Sequence, residues 1–407
     1  MECSTTGKAM LLFSLLAALS TVNCSFRGLG TLTRAELRNK KRREPVYVFG
    51  DSYADTGNHD PNSANASINK PWRVPYGNTW PGKPLGRYSD GRLLTDFYVS
   101  FLHEKLPELY RLLNIDTYIA QRSRGDKSKT AGLRERGKGI SFAFGGSGVF
   151  DTLNTLVYNV STQIDQLHSI MELGIVTPDD IASSSVLFVL SGNDYEAYTT
   201  LHPDLDGIQQ FIVQVVNQIA IDLEELASIG FKKFTVTTVP PLGCLPYISH
   251  VNNYSSCVDT VNQLCEVHNT LLKARISDLG SLYPNTSFTL LDLYSSILAV
   301  VEEGSFTLTP CCEGSCGEVD VDDNPQYTLC SDATKTLYWD SHHPTNAAWE
   351  AITNILFSSV SRFIHSLDAK HWHTFKCIFS YVSGTYLVRL FYSKEDSLIL
   401  DLHALVY

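Results

Sequence analysis

The sequence predicts an α/β fold in which a parallel sheet of about five strands lies between two layers of helices. Two observations carry this. Five short runs, Val46–Phe49, Ile140–Phe144, Val186–Leu190, Phe234–Thr238 and Phe288–Leu291, are mostly continuous apolar or β-branched stretches, as strands buried on both faces require. Helical patterns alternate with them, and strands alternating with helices make a covered parallel sheet. The composition allows such a core. Of 407 residues, 43% are hydrophobic and 18% charged, which argues against global disorder.

In chain order, Lys8 precedes the apolar run Ala9–Val22 and small or polar residues follow it. The run is too short for a comfortable membrane span and fits the core of an export signal over residues 1–25. No other stretch is long and apolar enough to cross a bilayer. The basic cluster Lys40–Arg43 reads as a solvated leader. The folded domain is expected over residues 45–366. Segments 58–92 and 114–139 are rich in Pro, Gly, Asn and Arg and read as insertions over one end of the sheet, where binding loops lie. Between them, 95–113 repeats apolar residues at helical spacing, with Pro107 kinking or dividing the helix. Residues 207–230 form the cleanest helical pattern and end at Gly230. Residues 260–280 form another, closed by Gly280. The last runs over 345–365 with Thr345 as its N-cap. Residues 370–407 are strand-like and apolar with no clear partner. They are expected to be an atypical tail that packs poorly rather than an added hairpin. His371 and His373 within it are too isolated to imply a metal.

Charge and cysteine usage limit the function classes. A formal net charge of −11 repels phosphate backbones and makes nucleic acid a poor partner. Of ten cysteines, seven lie between Cys244 and Cys330, an odd number that cannot pair completely within the group. Disulfides are the natural reading in an oxidising compartment. The stretch "CCEGSC" does not suit zinc, since adjacent cysteines do not easily serve one tetrahedral site. N-glycosylation acceptors stand at Asn65, Asn159, Asn253 and Asn285. With the export signal they imply a secreted glycoprotein.

In an open parallel sheet, ligands bind beyond the carboxyl ends of the strands. Gly50-Asp51-Ser52 follows the first run, Gly145-Gly146-Ser147-Gly148 the second, Ser191-Gly192-Asn193-Asp194 the third, and Pro240-Pro241-Leu242-Gly243 the fourth. "WDSHHPT", residues 339–345, precedes the last helix. These parts suit a hydrolase. A serine hydroxyl needs a base to take its proton, and a histidine held by a carboxylate serves near neutral pH. A tetrahedral oxyanion needs donors set in advance; glycine lets a backbone N–H approach closely, and an asparagine amide adds another. Asp51 and Asp55 read as turn or cap residues, His342 as a neighbour of the site, and Asn193 alternatively as a helix cap. The G-x-S-x-G elbow of α/β-hydrolases is missing, because Val149 stands where its second glycine would be.

The blocks "VFGDSYADTGN", "FAFGGSG", "SGNDY", "PPLGCLP" and "WDSHHPT" resemble, in order, the five characteristic blocks of plant-type GDSL esterases/lipases of the SGNH hydrolase superfamily. The likeness runs from about residue 45 to about residue 366. It implies a three-layer α/β/α, flavodoxin-like SGNH hydrolase fold and a secreted carboxylic ester hydrolase acting through an acyl-serine. By position, Ser52 resembles the nucleophile, Asp340 and His343 the rest of the triad, and Ser52 N–H, Gly146 and Asn193 the oxyanion donors. Such chemistry needs no metal or organic cofactor. Tyr53 stands where the family name has Leu, and Ser141 stands where Asn is frequent. Two other functions share the scaffold: an acyltransferase that passes the acyl group to a sugar or another alcohol, and an idle binding protein.

Overall fold

The computed structural model describes residues 44–63, 69–123, 138–153, 156–367, 388–392 and 398–402. The export-signal run, Asn65, Cys3, Cys24, Cys377, His371 and His373 lie outside them. Six parallel strands form the central sheet: β1 (Val46–Gly50), β2 (Glu108–Leu109), β3 (Ile140–Ser141), β4 (Ser185–Val189), β5 (Lys233–Thr237) and β6 (Ser287–Leu291), in the order β2-β3-β1-β4-β5-β6. Without the short edge strand β2, this is the flavodoxin-like order, and the direction of winding reverses between β1 and β4.

Alternation along the strands builds two cores. Tyr47 and Phe49 of β1, with Val186 and Phe188 of β4, face one side. Val46, Val48, Leu187 and Val189 face the other. A side-chain period of two makes this division automatic. Helices α1 (Leu94–Phe101), α2 (Ile115–Ser123), α3 (Val160–Glu172), α4 (Pro178–Ala182), α5 (Asn193–Leu201), α6 (Ile208–Ile229), α7 (Pro246–Ser249), α8 (Asp259–Leu282), α9 (Leu293–Glu303) and α10 (Asn346–Leu367) complete the layers. Leu167 of α3, Leu223 of α6 and Leu272 of α8 enter the first core. Leu94 of α1, Ile297 of α9 and Trp349 of α10 enter the second.

Three sequence expectations are corrected. The pattern over 95–113 is not one divided helix: α1 stops at Phe101, His103 takes a left-handed φ of 56°, and Glu108–Leu109 becomes the edge strand. Pro107 fits this, since it has no amide hydrogen for a helix ladder. Gly280 does not end its helix, which continues to Leu282. The 114–139 insertion begins with α2 rather than open loop. The last helix starts as expected, with Thr345 Oγ1 accepting from Ala348 N at 3.0 Å.

Three disulfides occur among the described residues: Cys244–Cys257, Cys311–Cys330 and Cys312–Cys316, with Cys265 free and buried. Cys311–Cys330 closes the base of the antiparallel hairpin β7 (Cys312–Val319) and β8 (Pro325–Leu329), and Cys312–Cys316 lies within β7. Within 370–407, β9 (Val388–Tyr392) and β10 (Leu398–Leu402) pair antiparallel. No helix among the described residues is long and apolar enough to cross a membrane.

On α6, Asp222 is buried, and burial pushes its carboxyl up to about 7. Its Oδ1 accepts from Gln218 and Ser161, while its Oδ2 has no partner. A carboxyl raised on folding binds more protons folded than unfolded, so it stabilises the fold less as pH rises from about 4 to about 7. The difference in melting temperature between Asp222→Asn and the parent is therefore expected to rise from pH 5 to pH 8 by several degrees, at about 2–4 °C per kcal/mol for a domain of this class. A difference that stays flat over that range contradicts this account of Asp222.

Candidate active site

β1 ends where a side chain cannot fit. Gly50 has φ +138°, and a Cβ there would lie 1.9 Å from Val189 O. Glycine permits the close approach and the sharp exit. The turn is locked from below by Gln163 of α3, whose amide accepts from Gly50 N and donates to Gly50 O, both at 2.9 Å. Asp51 and Ser52 are thereby set at the carboxyl edge. Asp51 Oδ1 accepts from Tyr53 N at 3.0 Å. Its Oδ2 accepts from Ser191 Oγ at 2.7 Å and Asn193 Nδ2 at 3.2 Å. Asp51 and Asp55 are both fully buried. Asp55 receives Gly57 N and Asn58 N on Oδ1 and Gly145 N on Oδ2. Both are turn residues, as the sequence suggested, and both also join separate strand ends.

The Trp339–Thr345 segment is pinned by Trp339 N donating to His343 O at 2.6 Å and by Cys312 N donating to Trp339 O at 2.7 Å. It carries Asp340 and His343 to Ser52. His343 Nε2 lies 2.9 Å from Ser52 Oγ, and Nδ1 lies 2.8 and 2.9 Å from the two Asp340 oxygens. Burial alone would raise the Asp340 carboxyl, but the charge and hydrogen bond of His343 outweigh it and hold it well below the ordinary range. Burial lowers the His343 imidazole, against the pull of Asp340. The favoured resting arrangement is a carboxylate, a neutral imidazole and a hydroxyl in sequence.

Gly146 and Asn193 reach the same edge. Gly145 N is committed to Asp55 at 3.0 Å. Gly146, at φ +88°, and Ser52 have backbone N–H groups with no acceptor among the described residues. Asn193 is the first residue of α5 but does not cap it; Gly192 holds that position. Its amide donates to Ser147 O at 2.9 Å and to Asp51. His342 is turned away from Ser52: its ring stacks on Tyr247, and its Nε2 lies 3.6 Å from Glu196.

Sequence reasoning missed three groups. Asp194, 4% exposed, accepts from Val149 N and Phe150 N and so ties α5 to the chain after β3; burial raises it to about 6. Tyr76 donates to Asp340 Oδ2 at 2.7 Å. His59 stacks on Phe144 with ring centres 3.9 Å apart and lies 3.1 Å from Gly145 O. A carboxylate follows β4 in sequence and hints at Asp194. Nothing local marks Tyr76 or His59.

Ser52, Gly146, Asn193 and His343 open onto a cavity of about 550 Å³, within the range of sites that enclose a small organic ligand. From them it extends between α6 and α8, over Ile212, Leu242, Leu245, Ile248, Val261 and Leu264.

Residues 46–356 match the model of the GDSL-like Lipase/Acylhydrolase family. Similar proteins from Arabidopsis thaliana include GDSL esterase/lipase At5g03610, 35% identical over 79% of this chain and 88% of its own. GDSL esterase/lipase At3g09930 is 34% identical over 78% and 89%, and GDSL esterase/lipase At5g03590 is 33% identical over 83% and 95%. With the family model spanning most of the chain and these likenesses covering about four fifths of it, the protein belongs to the GDSL-like lipase/acylhydrolase family and is a hydrolase of ester bonds.

Proposed function

We propose that the chain is a secreted serine esterase that works through an acyl-serine and accepts esters with an apolar acyl group. The observation that carries the mechanism is the unbroken hydrogen-bonded line from Asp340 through His343 to Ser52. His343 Nε2 takes the Ser52 proton as Oγ bonds to the ester carbonyl carbon. The carbonyl electron pair moves onto oxygen, and Asp340 stabilises the imidazolium. When the oxyanion collapses, the C–O bond to the alcohol breaks and His343 protonates the leaving oxygen. Water then repeats the sequence on the acyl-serine and releases the acid.

The unpartnered N–H groups of Ser52 and Gly146 suit the oxyanion. The commitment of Gly145 N to Asp55 favours Gly146 over its neighbour. The Asn193 amide supplies the third donor, drawing on the hydrogen it shares with Asp51 at 3.2 Å. The long apolar reach of the cavity favours an acyl chain, each buried methylene contributing about 0.8 kcal/mol. Secretion is supported by the Ala9–Val22 run and by disulfides suited to an oxidising compartment. Among the glycosylation acceptors, Asn253 and Asn285 are exposed. Asn159 is half-buried, caps α3, and donates its amide to Asp151. The first two are the better acceptors.

On p-nitrophenyl esters, Ser52→Ala is expected to abolish turnover and Asn193→Ala to slow it on the order of 10²–10³-fold. An unchanged rate in Asn193→Ala removes that amide from the oxyanion site. A base must be neutral, so kcat/KM is expected to rise with pH along a limb centred below 6.5, where burial places His343. A midpoint above 7 contradicts a buried imidazole base. Leu264→Trp is expected to lower activity on long acyl chains while sparing acetate. A chain-length profile identical to the parent's excludes the cavity as the acyl site.

A further inference from the structure

Tyr76 lies in the 58–92 insertion, far from the catalytic blocks in sequence, and is 1% exposed. Its backbone N donates to Arg73 O at 3.0 Å, and the next residue donates to Ser89 O at 2.9 Å. Its ring packs against Trp339 and among Cys311, Cys312 and Cys316, so it cannot swing. A buried tyrosine hydroxyl requires a partner, and this one meets the carboxylate beside the imidazole. Asp340 Oδ1 accepts from His342 N, His343 N and His343 Nδ1. Among the described residues, Oδ2 accepts only from His343 Nδ1 and from Tyr76 at 2.7 Å.

We propose that Tyr76 is a positioning residue for ester hydrolysis, whose hydroxyl fixes the Asp340 carboxylate in plane with the imidazole and disperses its charge. This rests on the proposed roles of Ser52, His343 and Asp340. Two consequences follow from the geometry. Without the hydroxyl, Oδ2 is a buried anionic oxygen with one partner, and the carboxylate is held mainly through Oδ1. Its charge is then shared among fewer donors, the imidazole and the two backbone N–H groups on Oδ1, which makes His343 a stronger base. The other groups facing the pair are Lys70, His342, Glu196, Tyr53 and Tyr88, and Glu318 faces Tyr76 itself. None of them is substituted in a Tyr76 variant.

The test is the pH profile of Tyr76→Phe, measured beside Ser52→Ala and Asp340→Ala on one p-nitrophenyl ester. Removing only the oxygen is expected to lower kcat roughly tenfold, leave KM unchanged and raise the acidic limb by about half a pH unit. A loss of rate with an unmoved limb makes Tyr76 merely structural and overturns the proposal, as does a profile like the parent's. Full activity in Ser52→Ala or Asp340→Ala overturns the underlying triad instead, whatever Tyr76→Phe does. Should Tyr76→Phe fail to fold, 3-fluorotyrosine placed at position 76 keeps the ring and makes the hydroxyl a stronger donor. It is expected to lower the acidic limb, and an unmoved limb there also overturns the proposal.

Discussion

The Asp51 carboxylate, fully buried at the end of β1, takes hydrogens from Tyr53 N, Ser191 Oγ and Asn193 Nδ2. One anion thus holds the loop that presents Ser52 against the loop that presents Asn193, across the reversal between β1 and β4. Burial pushes this carboxyl up to about 6 against the donors that lower it, so the tie keeps its charge only because several N–H and O–H groups surround it. Asp55 repeats the device toward Gly145, and Asp194 toward Val149 and Phe150. Three buried acids therefore set the spacing of the strand ends. The side chains that face the cavity inherit positions decided below them.

The sheet was legible because its strands are buried on both faces. Val46–Phe49 and Val186–Leu190 show no alternation, and a continuous apolar run of that length that ends in a glycine-bearing turn has few other uses. The run Ile140–Phe144 was read longer than the ladder, yet Phe142 N and Phe144 N still donate to Val48 O and Gly50 O. The edge strand was not legible. Glu108–Leu109 is two residues long, and its apolar neighbours match a helix as well as a strand.

Ser52, Gly146, Asn193, Asp340 and His343 could be assembled from sequence because each stands just past a strand or just before a helix, inside a short recognisable block. Tyr76 meets Asp340 from 264 positions away. Gln163 reaches Gly50 from the first turn of α3, where it looks like any polar residue. Partners of that kind are set by packing between layers, and the local chain carries no sign of them. The disulfide pairing was equally closed to sequence reasoning. Seven cysteines gave an odd count, but only the fold identifies Cys265 as the one left over.

Ser52 and His343 are 291 positions apart and touch only through the finished sheet. During synthesis Ser52 and its strand emerge early, while Asp340 and His343 come last, after β6 and the hairpin of β7 and β8. The Ser52 hydroxyl therefore lacks its His343 partner for most of the chain's passage through the ribosome. A product cut short anywhere before Asp340 lacks both partners of the Ser52 hydroxyl and, with His342 and His343, part of the cavity wall.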